Sequence, residues 1–290
     1  MTDKLADRVA VITGGGRGIG EAIALEFARA GASLVLAARS RDELLAVAEQ
    51  CRSLGAECIV QPTDVSDAGA VSALIEHSLN RFQRIDILVN AAGVYGPIGL
   101  LTEIDVDAWV QALHINLLGT LYCCRAALPA MIAQHSGKII NFSGGGAAAP
   151  LPRFSAYGVS KAAVVRLTDT LAEEVKEHGI TVNAIAPGAV DTRLQDAVLQ
   201  AGDRAGDLLV RMQALRASGV GGTPVEVPAR LALFLASDAS DGLTGRLISA
   251  PHDGWQEWDA ARIAALDGTP WFTLRRIDPF TINPLQAHTP

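Results

Sequence analysis

The chain has 290 residues, of which 49% are hydrophobic and 19% charged, and its formal net charge at pH 7 is −7. A chain of this length can bury a large core. Because the excess charge is negative and the basic residues form no stripe, we expect no nucleic acid among its partners. No apolar run reaches the roughly 18 residues of a membrane-spanning helix, and the N-terminus lacks the apolar core of a signal peptide. The sequence therefore predicts a cytoplasmic protein with no membrane partner.

Short apolar runs alternate with amphipathic stretches along most of the chain. The runs predicted to be β-strands are residues 8–13, 33–38, 56–64, 84–90, 137–143, 180–187 and 245–250. The stretches predicted to be helices are residues 19–30, 42–55, 67–82, 107–135 and 155–178, with Pro129 marking a kink or break in the fourth. This alternation predicts an α/β fold: a single doubly wound Rossmann domain with a parallel sheet of about seven strands and helices on both faces.

Two segments depart from this rhythm, and they divide the chain. Residues 1–250 form the predicted dinucleotide-binding and catalytic domain. Within it, residues 189–222 are polar and follow the C-terminal end of a strand, where ligands bind in open α/β sheets, so we expect a substrate-side insertion there. Residues 251–290 hold three of the four tryptophans. We expect this C-terminal extension to pack on the body or on a partner subunit, because it is too aromatic for a disordered end.

The loop after the first strand reads TGGGRGIG, at residues 13–20. Its spacing is T-G-x-x-x-G-x-G, on Thr13, Gly14, Gly18 and Gly20, and not G-x-G-x-x-G. Glycines permit a tight turn and a close approach of the backbone, and the N-terminus of the following helix favours a phosphate group. The loop therefore predicts a binding site for the pyrophosphate of a dinucleotide.

The end of the second strand indicates which dinucleotide binds. An acidic residue there would bond the ribose 2′-hydroxyl of NAD and repel a 2′-phosphate. This chain has Arg39, Ser40 and Arg41 instead, and no carboxylate. Arg39 can face a 2′-phosphate, with Arg17 of the glycine loop beside it, so the sequence favours NADP(H) over NAD(H). The alternative is that Arg39 and Arg41 are solvated loop charges.

The sequence YGVSK puts Tyr157 and Lys161 four residues apart in a predicted helix, hence on one face. A free tyrosine has a pKa near 10, too high for easy proton exchange at neutral pH. A nearby ammonium favours the phenolate and lowers that pKa. The pair is therefore a candidate general acid and base.

The motifs occur in the order TGGGRGIG, Asp64, NAAG at 90–93, Asn116, YGVSK and PGAVDT at 187–192. In this order they resemble the short-chain dehydrogenase/reductase family, over about residues 5–250. The resemblance implies that the glycine loop holds the pyrophosphate, that Asp64 contacts the adenine and that Asn90–Gly93 line the adenosine side. It also implies that Pro187–Thr192 cradle the nicotinamide end.

The resemblance also implies catalytic roles. Tyr157 gives or takes the proton, Lys161 bonds the nicotinamide ribose and lowers the pKa of the tyrosine, and Asn116 anchors a water that links the lysine to solvent. A serine after the fifth strand orients the substrate oxygen. The expected catalytic residues are Asn116, Ser143, Tyr157 and Lys161. The expected cofactor-binding residues are Thr13, Gly14, Arg17, Gly18, Ile19, Gly20, Arg39, Asp64, Val65, Asn90, Ala91, Gly93, Tyr157, Lys161, Pro187, Gly188, Val190 and Thr192.

The serine departs from the family's pattern. In the family it lies 13 residues before the tyrosine, but Ser143 lies 14 before Tyr157 and the position 13 before is Gly144. We expect the glycine-rich loop to shift by one residue and present Ser143, because glycine makes a local bulge easy. Alternatively, the substrate oxygen meets Tyr157 without a serine. Ser155 is a third candidate.

The function implied is that of an oxidoreductase that transfers a hydride between NADP(H) and a small-molecule carbonyl or secondary alcohol. Candidate substrates are a 3-oxoacyl thioester, a sugar and an alicyclic alcohol, and the family implies a homodimer or homotetramer. The displaced serine favours one alternative, a non-catalytic NADP(H)-binding sensor or scaffold. The six histidines form no ligand cluster, so we expect no metal.

Overall fold

The computed structural model describes residues 4–217 and 222–276, and their centre is a seven-stranded sheet. All six strand pairings are parallel, in the order β3-β2-β1-β4-β5-β6-β7. The strands are β1 (Val9–Thr13), β2 (Ser33–Ala38), β3 (Cys58–Pro62), β4 (Ile87–Asn90), β5 (Gly137–Phe142), β6 (Ile180–Ala186) and β7 (Leu247–Ser249). The prediction of a doubly wound α/β fold is confirmed. The strand order reverses between β1 and β4, which marks the crevice where such sheets bind ligands.

Helices cover both faces of the sheet. They are α1 (Gly18–Arg29), α2 (Arg41–Ser53), α3 (Ala68–Phe82), α4 (Val106–Leu113), α5 (Gly119–Gln134), α6 (Ser155–Val175), α7 (Arg193–Ala201), α8 (Asp207–Ala217), α9 (Glu226–Ala236) and α10 (Ala260–Leu266). One buried apolar core joins the sheet to α1, α2 and α9. A second core joins the other face to α3, α5 and α6. The strands are nearly continuous apolar runs because the sheet is covered on both faces.

Side-chain caps fix where several helices begin. The Ser40 hydroxyl accepts a hydrogen bond from the Glu43 amide at the start of α2. The Asp67 carboxylate accepts from the Gly69 and Ala70 amides at the start of α3, and Asp105 accepts from the Ala108 amide at the start of α4. These caps satisfy amides that the first turn of a helix leaves without intrahelical partners.

The predicted helix 107–135 is interrupted, but not where the sequence suggested. A π-helical turn, His114–Leu118, separates α4 from α5, and α5 continues past Pro129 to Gln134. The expected break at Pro129 was therefore wrong. A π-turn inserts one residue into the helix and often marks a functional site. Here it surrounds Asn116, whose backbone carbonyl accepts a hydrogen bond from the Thr120 hydroxyl at 2.9 Å.

The continuous stretch Val106–Gln134 is long and apolar enough to cross a membrane, by length and composition alone. The expectation from the sequence concerned uninterrupted apolar runs, and this stretch is interrupted by polar and charged residues such as Gln111, His114 and Arg125. The core of a folded domain explains the composition equally well, because Cys123, Ala127 and Met131 of this stretch are buried against the sheet.

The segment 189–222 is largely helical in its described part. It contains α7, a 3-10 turn at Gly202–Ala205 and α8, and a bridge between Val190 and Thr223 closes it. Beyond β7, the described residues of the C-terminal extension pack on the α1/α9 side of the sheet, where Trp255 and Trp258 are buried. The buried Arg246 guanidinium donates hydrogen bonds to the carbonyls of Leu266, Thr269 and Trp271. These bonds tie the extension to the domain.

Candidate active site

A cleft of about 1080 Å³ opens at the carboxyl ends of the strands. Its floor is the loop after β1, and its walls are the ends of β2, β3 and β4 together with the start of α7. It is lined by eleven of the predicted cofactor-binding residues: Gly14, Arg17, Gly18, Ile19, Gly20, Arg39, Asp64, Val65, Ala91, Gly93 and Thr192. The cleft therefore lies where the sequence predicted the dinucleotide.

The geometry of the glycine loop fits a pyrophosphate. Gly14 and Gly18 have φ of +68° and +60°, a conformation that other residues rarely adopt. A Cβ on Gly20 would stand 2.2 Å from the Gly14 carbonyl oxygen, so only glycine lets α1 begin so close to the loop. No side chain caps the N-terminus of α1, which leaves its amides available to an anion.

Several other predicted residues lie behind the cleft wall. The Thr13 hydroxyl is buried and bridges β1 and β4, donating to the Val89 carbonyl and accepting from the Ala92 amide. The Asn90 amide is also buried and donates to the Asn141 side-chain oxygen at 2.9 Å. The hydrogen bonds of these two side chains hold the carboxyl ends of β1, β4 and β5 together. Of the Pro187–Thr192 segment, Pro187, Gly188 and Val190 are not among the residues that line the cleft.

Charged groups surround the end of the cleft next to β2 and β3, where the sequence predicted the adenosine. Arg39 and Ser40 line it beside Asp64. Two hydrogen bonds from Ser66 lower the pKa of the Asp64 carboxyl, with a smaller contribution from Arg39. The sequence reasoning missed a further ion pair here. The Glu43 carboxylate accepts from Arg17 at 3.3 Å and from Arg193 at 2.7 Å. Arg193 starts α7, so this contact joins the substrate-side segment to the rim of the cleft.

The Asn116 side chain joins three segments behind the cleft. Its Oδ1 accepts from the Val94 amide, and its Nδ2 donates to the Val94 carbonyl, both at 2.8 Å. Nδ2 also donates to the Ser160 hydroxyl at 2.9 Å, and that hydroxyl donates to the Tyr157 carbonyl. The side chain is completely buried. Asn116 therefore fixes the loop after β4 against α6, a contact that the motif alone did not reveal.

Tyr157 and Lys161 lie together in the first turns of α6, and both are buried. The Lys161 Nζ is 5.7 Å from the centre of the Tyr157 ring and donates to the Phe142 carbonyl at 2.7 Å. It also stands 3.4 Å from where a Cβ on Gly93 would lie. Gly93 lines the cleft, so the ammonium lies directly behind the cleft wall.

Burial controls the ionisation of both groups. It lowers the pKa of Lys161 from 10.5 to about 8. It raises the pKa of Tyr157 above its usual value, and the neighbouring Tyr95 raises it further. The expected lowering of the tyrosine pKa by Lys161 is therefore not found among the protein's own groups. The physical reason is desolvation, which disfavours the phenolate and the ammonium alike.

The loop after β5 places Gly144 and Ser143 in different surroundings. Gly144, not Ser143, faces the tyrosine: a Cβ on Gly144 would stand 2.1 Å from the Tyr157 hydroxyl oxygen. The Ser143 hydroxyl is buried and has no hydrogen-bond partner among the described residues. The Ser155 hydroxyl accepts from the Trp109 indole at 3.1 Å. Neither Ser143 nor Ser155 is hydrogen-bonded to Tyr157, and a role for Ser143 stays a prediction.

An apolar cluster surrounds the Tyr157 ring, and the sequence reasoning did not find it. The cluster joins the loop after β4, the start of α6 and the helices α7 and α8. Its buried members other than Tyr157 are Ile98, Phe154, Val198, Ala205 and Met212, and Tyr95 and Leu151 pack against them. The only signal in the sequence was the position of the segment 189–222 beyond a strand end.

Comparison with known proteins agrees with this geometry. Residues 8–202 match the family model described as short chain dehydrogenase. The chain belongs to the short-chain dehydrogenase/reductase family. It is therefore an NAD(P)-dependent oxidoreductase that acts on CH–OH and C=O groups, and the predicted family and activity are confirmed at this level.

Similar proteins span the length of the domain. The short-chain reductase protein NovJ of Streptomyces niveus is 38% identical over 246 residues, which cover 83% of this chain and 92% of the relative. The cis-4-hydroxycyclohexanecarboxylate dehydrogenase of Sinomonas cyclohexanicum is 38% identical over 251 residues, covering 86% and 97%. A crystal structure of NAD⁺-bound xylitol dehydrogenase superposes with a TM-score of 0.78 at 29% identity, covering 85% of this chain and 98% of that one.

The buried lysine makes the stability of the fold depend on pH. Because the pKa of Lys161 is about 8 in the folded chain and 10.5 as a free side chain, the unfolded chain binds more protons between these values. The free energy of unfolding should therefore rise as pH rises through this window. Relative to Lys161→Met, the wild type should gain about 2 kcal/mol between about pH 7.5 and pH 10.

Urea denaturation without added nucleotide measures this difference. Lys176→Met, at an exposed position, serves as the control and should follow the wild type within about 0.5 kcal/mol across the same range. A gap between wild type and Lys161→Met that stays constant with pH would show that Lys161 is not desolvated.

Proposed function

We propose that this enzyme uses NADP(H) to interconvert an apolar cyclic ketone and its secondary alcohol. The observation that carries the substrate class is the apolar cluster around Tyr157. A polyol entering this site would bury hydroxyl groups without partners, which costs free energy for each group. A hydrocarbon ring gains from the same surroundings. The name of the cyclohexanecarboxylate relative is consistent with a ring substrate.

In the proposed mechanism the bound nicotinamide supplies or accepts the hydride. Tyr157 gives its phenolic proton to the carbonyl oxygen as a general acid, and its phenolate takes the proton back in the oxidation. The raised pKa of Tyr157 keeps the phenol protonated at neutral pH, which suits the reduction. Lys161, with a pKa of about 8, can exchange a proton near neutral pH. Asn116 donates a hydrogen bond to Ser160, which lies between Tyr157 and Lys161 on α6.

The preference for NADP(H) rests on the charge at the end of β2. Arg17, Arg39 and Ser40 line the cleft there, and no carboxylate follows the strand directly. Two acids line this part of the cleft, but Glu43 is ion-paired with Arg17 and Arg193, and Asp64 is hydrogen-bonded by Ser66. The xylitol dehydrogenase structure holds NAD⁺, so the similarity to it does not favour the phosphorylated cofactor. The proposal therefore depends on Arg39.

Arg39→Asp tests the cofactor preference directly. The substitution removes a cation from the proposed 2′-phosphate site and places a carboxylate at the end of β2. The ratio of kcat/KM for NADPH to that for NADH should fall by about 10- to 100-fold, the value of a hydrogen bond to a charged group. The assay follows nicotinamide absorbance with cyclohexanone, 2-methylcyclohexanone and xylulose as substrates.

Arg41→Asp is the matched control, because Arg41 lies two residues away and does not line the cleft. It should leave the ratio within about threefold of wild type. An unchanged ratio in Arg39→Asp would refute the cofactor proposal. Faster reduction of xylulose than of both cyclohexanones would refute the substrate class, and Tyr157→Phe supplies the background rate.

We also propose that the chain forms a homodimer or homotetramer through the outer faces of α4, α5 and α6. These helices lie on one side of the sheet and expose Val110, Leu121 and Val159. Exposed apolar side chains grouped on one layer are typical of a subunit interface.

Light scattering should give two or four times the chain mass of 30.3 kDa. The double variant Leu121→Asp with Val159→Asp should have a lower mass in solution. The control is Val210→Asp on α8. A monomeric wild type would refute the proposal.

A further inference from the structure

Among the described residues, no serine hydroxyl is hydrogen-bonded to Tyr157, although the family's pattern would supply one there. Gly144 occupies that place and has no side chain to contribute. Ser143 is buried without a hydrogen-bond partner among the described residues, and Ser155 is engaged by Trp109. A carbonyl oxygen held by Tyr157 alone would be free to rotate about a single hydrogen bond. Another donor close to Tyr157 would remove that freedom.

The Tyr95 ring packs on the Tyr157 ring. The two ring centres are 4.7 Å apart, with an angle of 65° between the ring planes. On its other side Tyr95 meets Phe154, with ring centres 5.3 Å apart. Tyr95 lines the cofactor cleft and also packs against the apolar cluster. It therefore stands at the junction where the nicotinamide end of the cleft meets the proposed substrate pocket.

The backbone holds Tyr95 firmly on both sides. Asn116 binds both the amide and the carbonyl of Val94, the residue before it. Gly96, the residue after it, has a φ of +72°, and a Cβ there would stand 2.6 Å from the Ala112 Cβ. The chain at 94–96 is thus wedged between α4 and α6. A donor on such a segment keeps its direction without a cost in conformational entropy when substrate binds.

We propose that the Tyr95 hydroxyl is the second hydrogen-bond donor to the substrate oxygen, in place of a serine. Tyr95 keeps its own proton throughout, and only Tyr157 transfers a proton to the carbonyl oxygen. Burial raises the pKa of Tyr95, so its hydroxyl remains a donor at neutral pH. The aromatic ring also forms one wall of the substrate pocket, where a flat apolar ring can pack on it. This inference rests on the carbonyl chemistry proposed above.

Tyr95→Phe removes the hydroxyl and keeps the ring. With cyclohexanone and NADPH, kcat/KM should fall by about 10- to 100-fold, the range expected when one donor to a developing oxyanion is lost. The dissociation constant of NADPH, measured by fluorescence, should stay within about twofold. Tyr122→Phe, on α5 and outside the cleft, is the matched control and should lose less than about threefold. A loss in Tyr95→Phe of less than about tenfold, or one equalled by Tyr122→Phe, would overturn the proposal.

Binding of an unreactive carbonyl compound separates this proposal from the proposed function. The cyclic amide 2-piperidone has a carbonyl that NADPH does not reduce, so its binding, followed by ligand-observed NMR in the presence of NADP⁺, does not depend on turnover. Tyr95→Phe should weaken that binding about tenfold. If the wild type reduces no ketone but binds the amide in a Tyr95-dependent way, the proposed function fails and the role of Tyr95 stands. Equal binding by both proteins, or none by the wild type, overturns the role of Tyr95.

If Tyr95→Phe fails to fold, Tyr95→Gln takes its place, because it supplies a donor without the ring. Equal kcat/KM for Tyr95→Gln and Tyr95→Ala would then overturn the role of Tyr95.

Discussion

The arrangement of the site depends on one buried side-chain amide, that of Asn116. It satisfies both backbone groups of Val94 and reaches the Ser160 hydroxyl on α6. A buried amide is costly unless its donors and acceptor are paired, so the three segments must meet in this geometry for the fold to be stable. The π-turn at His114–Leu118 surrounds the amide in an otherwise continuous helix. The loop that carries Gly93 and Tyr95 is thereby fixed beside the helix that carries Tyr157 and Lys161.

Desolvation is the second physical effect on which the site depends. The apolar cluster excludes water from Tyr157, and the same exclusion makes both the phenolate and the ammonium unfavourable. The protein's own groups therefore hold a protonated tyrosine next to a lysine whose pKa is about 8. Low polarity also strengthens each hydrogen bond offered to a substrate oxygen. This gives a second donor such as Tyr95 more influence than it would have in a solvated cleft.

Much of the fold was predictable from the sequence because its signals are local. Apolar strands, amphipathic helices and the loop TGGGRGIG each carry their pattern within a few residues. The cofactor cleft follows from the strand order, since β1 and β4 meet where the order reverses. The contacts that the sequence did not reveal are non-local. The ion pair of Glu43 with Arg193 joins residues 150 positions apart, and the packing of Tyr95 on Tyr157 depends on how the loop after β4 meets α6.

Counting residues back from Tyr157 identifies the position of the family's serine but not the packing around it. Spacing placed Gly144 at the family's serine position, and flexibility of the glycine loop suggested that Ser143 would take over. In the structure the Tyr157 hydroxyl lies so close to Gly144 that no Cβ fits there, an effect of tertiary packing that spacing does not contain. The π-turn was missed for a similar reason: Pro129 is a visible signal, while the turn around Asn116 arises from contacts with other segments.

The central claim, that the Asn116 amide holds the loop after β4 in place, is tested most directly by hydrogen exchange. In Asn116→Ala, amide exchange in the segment 93–97, which has amide hydrogens at residues 93–96, should become about 10- to 100-fold faster than in wild type, while the strands β1, β4 and β5 keep their protection. Asn80→Ala, at an exposed position on α3, should leave all these rates unchanged. If the segment 93–97 exchanges equally slowly in Asn116→Ala and in wild type, the amide is not what positions the site.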